Sequence, residues 1–217
     1  MNFLKSSVGR KVLMAITGQL MVLFVISHLL GNSTIFVHKI NSYAEHLHSL
    51  GPIVWLLRLG MLTVILGHAC LGIMVTLENR AATPKKYAVD RQLKVSLSGS
   101  SMIWTGVIIA CFITYHLAHF TLRLPADVAA FAGQAPGDVY RMLVTSFSHG
   151  FTVFIYVAAM AALCFHLFHG IRSFFQTMGW NNECSQPVFS VLGKLLAVIF
   201  LLGFGSIPVA ILTGILS

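Results

Sequence analysis

Charged residues are scarce in this sequence. They make up 9% of its 217 residues, whereas a soluble domain carries about 25%. The formal net charge is nevertheless +8, because 14 Lys and Arg residues oppose only 6 Asp and Glu residues. Such a balance can indicate nucleic-acid binding, but here the basic residues flank apolar runs and form no stripe interleaved with aromatic residues. We therefore expect them to set the orientation of a membrane protein, and we expect no nucleic acid among its partners.

Cysteine is also infrequent, and its spacing excludes two classes of protein. The four cysteines are Cys70, Cys111, Cys164 and Cys184, and no two of them form a CxxC motif. A disulfide framework and a thiolate metal site both need closer or more regular spacing. We expect the cysteines to behave as small apolar side chains.

What the sequence contains instead is long apolar runs. Hydrophobic residues make up 57% of the chain, and its mean hydropathy is +0.84. A helix crosses a bilayer with about 20 mostly apolar residues. Five runs reach that length: 12–36, 53–77, 97–121, 148–171 and 189–215. The sequence therefore predicts an all-α membrane protein with five transmembrane helices in one domain, residues 1–217.

The connections add three expectations. The third connection, residues 122–147, is the longest, and a short amphipathic helix is expected in it. Pro208 lies inside the fifth run and is expected to kink that helix. Five spans place the two termini on opposite sides of the membrane.

The basic residues predict the orientation. If the N-terminus is inside, ten of them fall in inner segments: Lys5, Arg10, Lys11, Arg80, Lys85, Lys86, Arg91, Lys94, Arg172 and Lys194. Four fall in outer segments: Lys39, Arg58, Arg123 and Arg141. Inner segments of membrane proteins carry the excess of Lys and Arg. We therefore expect a cytoplasmic N-terminus and an external C-terminus.

Histidines are unusually frequent in the predicted spans. Six of the ten histidines lie at least two residues inside the ends of these runs: His28, His68, His116, His119, His166 and His169. Ionisable side chains inside a bilayer cost free energy and usually mark a functional site. Hydrogen bonding between helices is the simpler explanation for one isolated histidine. That explanation weakens here, because four consecutive spans each carry at least one.

The histidines fall at two depths. With a rise of about 1.5 Å per residue, His28 and His116 lie roughly 16 and 10 Å before the basic residues at the outer ends of their spans. His68 and His166 lie roughly 15 and 9 Å before charged residues at the inner ends of theirs. The spacing thus predicts an outer pair and an inner pair, each contributed by two different helices.

Two spans offer a choice of histidine. His119 follows His116 by three residues, and His169 follows His166 by three. Residues three apart share a helix face only approximately. The depth favours His116 and His166, while the spacing by itself leaves both alternatives open.

Paired histidines at equal depth favour haem over other cofactors. Two imidazoles on facing helices can hold a haem iron from both sides, and a helix bundle accommodates the flat apolar ring. A catalytic zinc ion requires three protein ligands close together. A proton relay usually combines histidines with carboxylates, and no Asp or Glu lies beside these histidines within the spans. The pattern therefore predicts two haems between the first four helices, one near each face of the bilayer.

Short motifs accompany the histidines in order along the chain. They are SSVGRK at 6–11, TG at 17–18, SHLLGN at 27–32, GHACLGI at 67–73, YHLAHF at 115–120, FHLFHGIRSF at 165–174 and MGW at 178–180. With these motifs the chain resembles the cytochrome b membrane-anchor subunits of succinate dehydrogenases and fumarate reductases, in their single-chain, five-helix form with two haems. The resemblance extends over essentially the whole chain.

This resemblance implies a ligand set and a function. His28 and His116 would be the axial ligands of an outer, distal haem b, and His68 and His166 those of an inner, proximal one. A flavoprotein subunit and an iron–sulfur subunit would be the partners, on the cytoplasmic face of a prokaryotic inner membrane. Succinate and fumarate would react at the flavin, with no catalytic residue for them on this chain. The chain would carry electrons between a membrane quinone, expected to be menaquinone, and the iron–sulfur subunit.

The resemblance also suggests further site residues. Some family members have an acidic quinone-site residue near the outer start of the second helix, where this chain reads YAEHLHSLGP. Glu45, His46 and His48 are therefore quinone-site candidates, and a solvated loop of ordinary polar residues is the alternative. Candidates for contacts with haem propionates, or for support of the ligands, are Arg172, His119 and His169.

One position departs from the family pattern, and two other functions compete. Some members have an acidic residue two before the fourth ligand, as part of a proton path, whereas this chain has Cys164. The first competing function is a dihaem anchor subunit of a hydrogenase or a formate dehydrogenase. The second is a haem-free transporter, which the lack of an inverted repeat disfavours.

Overall fold

A computed structural model describes residues 6–81, 101–131 and 137–217 of the chain. These residues form helices joined by turns, with no strand among them. Their eight α-helices, numbered α1 to α8 here, are Ser7–Ser33, Ile40–Ser49, Pro52–Ala81, Met102–His116, Ala126–Ala129, Val139–Phe147, Gly150–Thr177 and Ser185–Leu212. Four of them, α1, α3, α7 and α8, are long and apolar enough to cross a membrane, and so is the segment Met102–Ala129, which begins with α4. The predicted all-α architecture with five spans is confirmed.

The helices extend beyond the apolar runs that predicted them. α1 begins at Ser7 rather than at residue 12, because the hydroxyl of Ser6 accepts a hydrogen bond from Gly9 N at 2.9 Å and caps the helix. α7 continues to Thr177, six residues past the predicted end. Apolar runs mark the part of a helix inside the bilayer, whereas capping groups decide where the helix ends. The predicted residues 97–100 of the third span lie outside the described residues.

The connections contain helices of their own. The third connection holds α5 and the nine-residue α6, so the short helix expected there is present. The first connection holds α2, which the sequence did not predict. α8 continues through Pro208 as one helix, and the kink expected there stays a prediction.

α7 lies at the centre of the bundle. It packs against α8, α4 and α1, and α1 packs in turn against α3. We call the end of the bundle with the N-terminus of α1 the inner end, and the opposite end, with α2 and α6, the outer end. At the inner end Arg10 of α1 pairs with Glu78 of α3 at 2.7 Å.

Large apolar side chains also cover the outside of the bundle. Leu56 on α3 is 72% exposed, Phe151 on α7 75% and Leu202 on α8 65%. Soluble monomers rarely expose so many large apolar side chains to water. A hydrocarbon environment explains them, and the chain is a multi-pass membrane protein.

Candidate functional site

The outer histidine pair lies between α1 and the end of α4. The ring centroids of His28 and His116 are 5.9 Å apart, and the two ring planes are nearly perpendicular at 88°. Aromatic side chains surround the pair, with Phe24 stacked 5.5 Å from His28 and Phe112 lying 5.7 Å from His116. Phe204 of α8 lies 5.8 Å from His28 on a further side. These contacts place the two imidazoles in an apolar environment.

The inner pair lies between α3 and α7. The ring centroids of His68 and His166 are 6.4 Å apart, with 68° between the ring planes. The structure thus brings together the same two pairs that the depth of the histidines predicted.

The separation within each pair fits a metal between two rings. An imidazole nitrogen binds a transition metal at about 2.0–2.1 Å, so two rings on opposite sides of one metal ion have centroids about 6 Å apart. Both pairs lie close to that value. Among the described residues no group of three or more His, Cys, Asp or Glu side chains converges on one point. The donor set is therefore two imidazoles per site, which suits the two open axial positions of a haem iron.

Hydrogen bonds orient the ring of His68. Its Nδ1 lies 3.0 Å from the carbonyl oxygen of Met14 and 3.2 Å from Oγ1 of Thr17, both on α1. A carbonyl only accepts, so Nδ1 of His68 carries the hydrogen. The Thr17 hydroxyl donates its own hydrogen to the carbonyl of Leu13 at 2.8 Å, and its oxygen can therefore accept. Nε2 of His68 is then left with a free lone pair, the form in which histidine binds a metal.

His166 is held in the same way. Its Nδ1 lies 3.1 Å from Oγ1 of Thr105 on α4. The Thr105 hydroxyl is within 3.1 Å of the carbonyls of Ser101 and Met102 and donates its hydrogen there. Its oxygen therefore accepts from Nδ1 of His166, which again leaves Nε2 with a free lone pair.

The two threonines relate the inner pair to the outer pair. On α1, Thr17 precedes His28 by eleven residues, and on α4, Thr105 precedes His116 by eleven. Eleven residues of helix correspond to about 16 Å along the axis. α1 and α4 thus each provide one outer histidine and, about 16 Å away, the threonine that orients an inner histidine.

Two glycines allow close approach to the inner rings. A Cβ atom on Gly18 would lie 3.1 Å from Cε1 of His68, and one on Gly106 would lie 3.6 Å from Cε1 of His166. A side chain at Gly18 would push the His68 ring away. This contact gives a physical reason for the TG motif at 17–18, where the threonine orients the ring and the glycine makes room for it.

His119 belongs to a different arrangement from the other candidates. It is 0% exposed and lies in the π-helical turn Leu117–Thr121 that extends α4. Its Nδ1 is 3.2 Å from the hydroxyl of Tyr156, and its Nε2 is 3.0 Å from Oδ2 of Asp127. The same Tyr156 hydroxyl is 3.3 Å from Nδ1 of His116. Because both nitrogens of His119 have partners within the protein, this placement disfavours direct contact with a propionate or a quinone.

The remaining predicted residues lie nearer the surface. Glu45, His46 and His48 are exposed on α2 at the outer end. Arg172 is exposed near the inner end of α7, and His169 is half-buried with its Nε2 3.0 Å from the hydroxyl of Ser173. Their functional roles stay predictions.

The position of Cys164 is structural. Its side chain is 6% exposed and packs in the cluster that joins α1, α7 and α8, with Val22 and Phe200 among its members. No ionised carboxylate is present at this position on α7, where some family members have their acidic residue.

The fold and these side chains define the class of the protein. It is a five-span membrane protein with two interhelical histidine pairs at two levels. The family model of the succinate dehydrogenase/fumarate reductase transmembrane subunit matches residues 76–202, more than half of the chain, and the chain belongs to this family. No curated protein and no solved structure matches the chain significantly. Membership confirms the resemblance to membrane-anchor subunits of succinate dehydrogenases and fumarate reductases, and it disfavours a hydrogenase or formate dehydrogenase anchor and a transporter.

The matched region contains one member of each pair. His116 and His166 lie within residues 76–202, whereas His28 and His68 lie before them. The pairing of His28 with His116 therefore depends on the ring geometry, and the pairing of His68 with His166 depends on the ring geometry and on the hydrogen bond from His68 to Met14.

Proposed function

We propose that this chain is a dihaem cytochrome b anchor subunit that carries electrons between a membrane quinone and an iron–sulfur subunit. The proposal is carried by the two facing histidine pairs, whose ring centroids are 5.9 Å apart in the outer pair and 6.4 Å apart in the inner pair. The inner pair in addition has both Nδ1 atoms hydrogen-bonded, which directs Nε2 away from these partners. An interhelical hydrogen-bonding role alone would not need two such pairs, each with its two members at equal depth.

Each proposed haem b has its own ligands. His28 and His116 would hold the outer haem, and His68 and His166 the inner one. When bound, a haem supplies reversible one-electron transfer. The chain itself contributes ring orientation through Thr17 and the aromatic surroundings described above. Arg172 and His169, near the inner end of α7, are proposed to contact a propionate of the inner haem.

Two levels of cofactor suit the thickness of the membrane. The hydrocarbon core is about 30 Å thick, and the two pairs are separated by about 16 Å along α1. Electrons would therefore cross in shorter steps between the outer surface, the two haems and the inner surface.

The orientation assigns the partners to faces. The excess of basic residues at the inner end supports a cytoplasmic N-terminus in a prokaryotic inner membrane. Lys5, Lys85, Lys86, Arg91 and Lys94, which contribute to that excess, lie outside the described residues. A flavoprotein subunit and the iron–sulfur subunit would bind at this face, and succinate or fumarate would react at the flavin.

The quinone is proposed to react at the outer end. Glu45, His46 and His48 project from α2, which lies beside the outer end of α1. Quinol oxidation releases two protons with two electrons, so a carboxylate or an imidazole that accepts protons is suitable there. Menaquinone is the proposed substrate.

The test uses the complex purified from its native membrane. The flavoprotein and iron–sulfur subunits should copurify with this chain, and the complex should show haem absorption. Succinate and a reduced menaquinone analogue should each reduce haem within the time of enzyme turnover. A pure complex without a Soret band would contradict the proposal, as would haem that neither reductant can reduce.

A further inference from the structure

A chain of hydrogen bonds links the outer histidine pair to a carboxylate near the outer surface. It runs from Nδ1 of His116 to the hydroxyl of Tyr156 at 3.3 Å and from there to Nδ1 of His119 at 3.2 Å. It ends where Nε2 of His119 meets Oδ2 of Asp127 at 3.0 Å. Three helical segments contribute to it: the end of α4 with its π-helical turn, α7 and α5.

The donors and acceptors of this chain can be ordered. An ionised carboxylate only accepts, so Nε2 of His119 donates to Asp127. Nδ1 of His119 then accepts the hydrogen of the Tyr156 hydroxyl, whose oxygen accepts from Nδ1 of His116. Each donor has one acceptor, and Nε2 of His116 keeps a free lone pair.

A π-helical turn lies within this arrangement. Leu122 N bonds to Leu117 O at 2.8 Å, five residues back, which widens the helix at this point. His116, just before the turn, and His119, within it, both reach the hydroxyl of Tyr156. Isolated π-helical turns are rare and often mark functional sites.

The chain is buried for most of its length. Tyr156 is 7% exposed and His119 is 0% exposed, while the Asp127 side chain is 18% exposed. Hydrogen bonds in such surroundings are stronger than in water and polarise one another. The negative charge of Asp127 is therefore transmitted to His116 with little screening by solvent.

The inner pair has no equivalent. Nδ1 of His68 donates to a carbonyl and a hydroxyl, and Nδ1 of His166 donates to a hydroxyl. These acceptors are neutral. The two histidine pairs thus differ in one chemical respect, which is that only the outer one is joined through hydrogen bonds to a carboxylate among the described residues.

We propose that Tyr156, His119 and Asp127 are positioning residues that set the redox potential of the outer haem through His116. The inference rests on the proposed function, because it requires His116 to be an axial ligand. Partial negative charge passed to His116 makes it a stronger donor and stabilises the oxidised iron, which carries the extra positive charge. Loss of the carboxylate should therefore raise the potential of the outer haem and leave that of the inner haem unchanged.

The experiment is a redox titration of both haems in the purified complex, followed by absorption. In Asp127→Asn the ratio of reduced to oxidised outer haem, at the wild-type midpoint of that haem, should increase severalfold. Tyr156→Phe breaks the chain and should shift the same haem in the same direction. The double variant should shift it no further than the larger single effect, because both substitutions interrupt one path. Asp127→Glu keeps the carboxylate and should restore most of the wild-type potential.

Asp138→Asn provides the matched control. Asp138 lines the same outer cavity as Asp127 and Arg141, but its carboxylate bonds to Asn41 and Arg141 N rather than to His119. Both haem potentials should be unchanged in this variant. An equal shift in Asp138→Asn would overturn the inference, since charge alone would then act through space. An unchanged outer haem in Asp127→Asn, or additive shifts in the double variant, would also overturn it.

Failure of the proposed function has a different signature. In that case the wild-type complex would lack two titratable haems before any substitution is made. If Tyr156→Phe fails to assemble, Asp127→Asn decides alone, because Asp127 lies at the outer surface and both haems should remain bound.

Discussion

Two threonine hydroxyls determine how the inner imidazoles are presented. Thr17 and Thr105 each donate to their own helix backbone and accept from a histidine on a neighbouring helix. A hydroxyl used in this way fixes both the rotation of the ring and the nitrogen that carries hydrogen. His68 has the carbonyl of Met14 as a second acceptor at 3.0 Å. His166 has the backbone of Met102 as a corresponding second partner. We therefore expect both inner histidines to depend on their threonines for orientation.

Thr105→Val tests this dependence with a side chain of nearly equal shape. Loss of the oxygen removes one hydrogen-bond acceptor of Nδ1 of His166, and substitutions of this kind typically weaken metal binding about 10–100-fold. The inner haem should be lost from the purified complex at lower detergent exposure, while the outer haem is retained. Haem content is measured from the absorption of each haem. Thr114→Val is the control, because Thr114 is exposed on the same helix and bonds only to Ala110 O.

Glu45 is the residue on which the quinone proposal is most easily tested. Glu45→Gln keeps the size of the side chain and removes its ability to accept a proton. Because general base catalysis typically contributes about 10²–10⁴-fold, quinol turnover should fall by at least about tenfold with both haems still present. Glu183→Gln, an exposed glutamate in the connection before α8, should turn over like the wild type. Unchanged turnover in Glu45→Gln would remove this residue from the quinone site.

At the scale of elements, α2 and α6 are joined by one polar cluster. Oδ1 of Asp138 caps α6 by accepting from Arg141 N at 3.0 Å, and it also accepts from Nδ2 of Asn41 on α2 at 2.9 Å. Oδ1 of Asn41 accepts in return from Tyr140 N at 2.9 Å. Both helices belong to the outer end, where the quinone is proposed to react. Their contact therefore positions the helix that carries Glu45.

This cluster should weaken in acid. The backbone amide of Arg141 and the side-chain amide of Asn41 hold the pKa of Asp138 below its usual range. The stability that Asp138 contributes is thus fully present above its unfolded pKa, about 4, and is lost as the pH falls through the lower folded value. Asp138→Ala should remove it at every pH and cost about 1 kcal/mol.

Amide hydrogen exchange in α6, followed between about pH 3 and 6, measures this loss of stability. Asp138→Asn provides the control, because asparagine also caps helices well but does not titrate. In this variant the protection of the α6 amides against exchange should be independent of pH in this range. Equal pH dependence in Asp138→Asn and the wild type would show that another group is responsible.

Some elements were visible in the sequence and others were not. The five spans followed from apolar length alone, because every backbone polar group in a bilayer must be satisfied within a helix. α2 was missed, since its ten residues are mostly polar and carry no long apolar run. The π-helical turn Leu117–Thr121 was also missed, because no residue pattern in the sequence distinguishes it from the end of an α-helix.

At the scale of the molecule, the sequence predicted depth but not lateral contact. Helical rise converts residue number into height, so residue numbers alone place His28 and His116 at one level and His68 and His166 at another. Which side chains of neighbouring helices meet depends on helix rotation and on tertiary packing. Tyr156 and Asp127 lie on separate elements from His116, and for that reason their connection to it appears only in the folded chain.

The same limitation applies to Thr17 and Thr105. Their spacing of eleven residues before an outer histidine is present in the sequence twice, and it is the one signal that could have indicated them. Its meaning becomes clear only when α3 and α7 bring the inner histidines beside them. The helices then follow a regular plan, in which α1 and α4 serve both levels while α3 and α7 each supply one inner histidine.

The most direct measurement of the central claim is the haem content of the purified complex in four single variants: His28→Leu, His116→Leu, His68→Leu and His166→Leu. The wild type should contain two haems per chain. His28→Leu and His116→Leu should lose the same haem, and His68→Leu and His166→Leu should lose the other, while His149→Gln, at an exposed histidine before α7, should keep both. Loss of the same haem in one variant from each pair would contradict the pairing, and a wild type without haem would contradict the whole proposal.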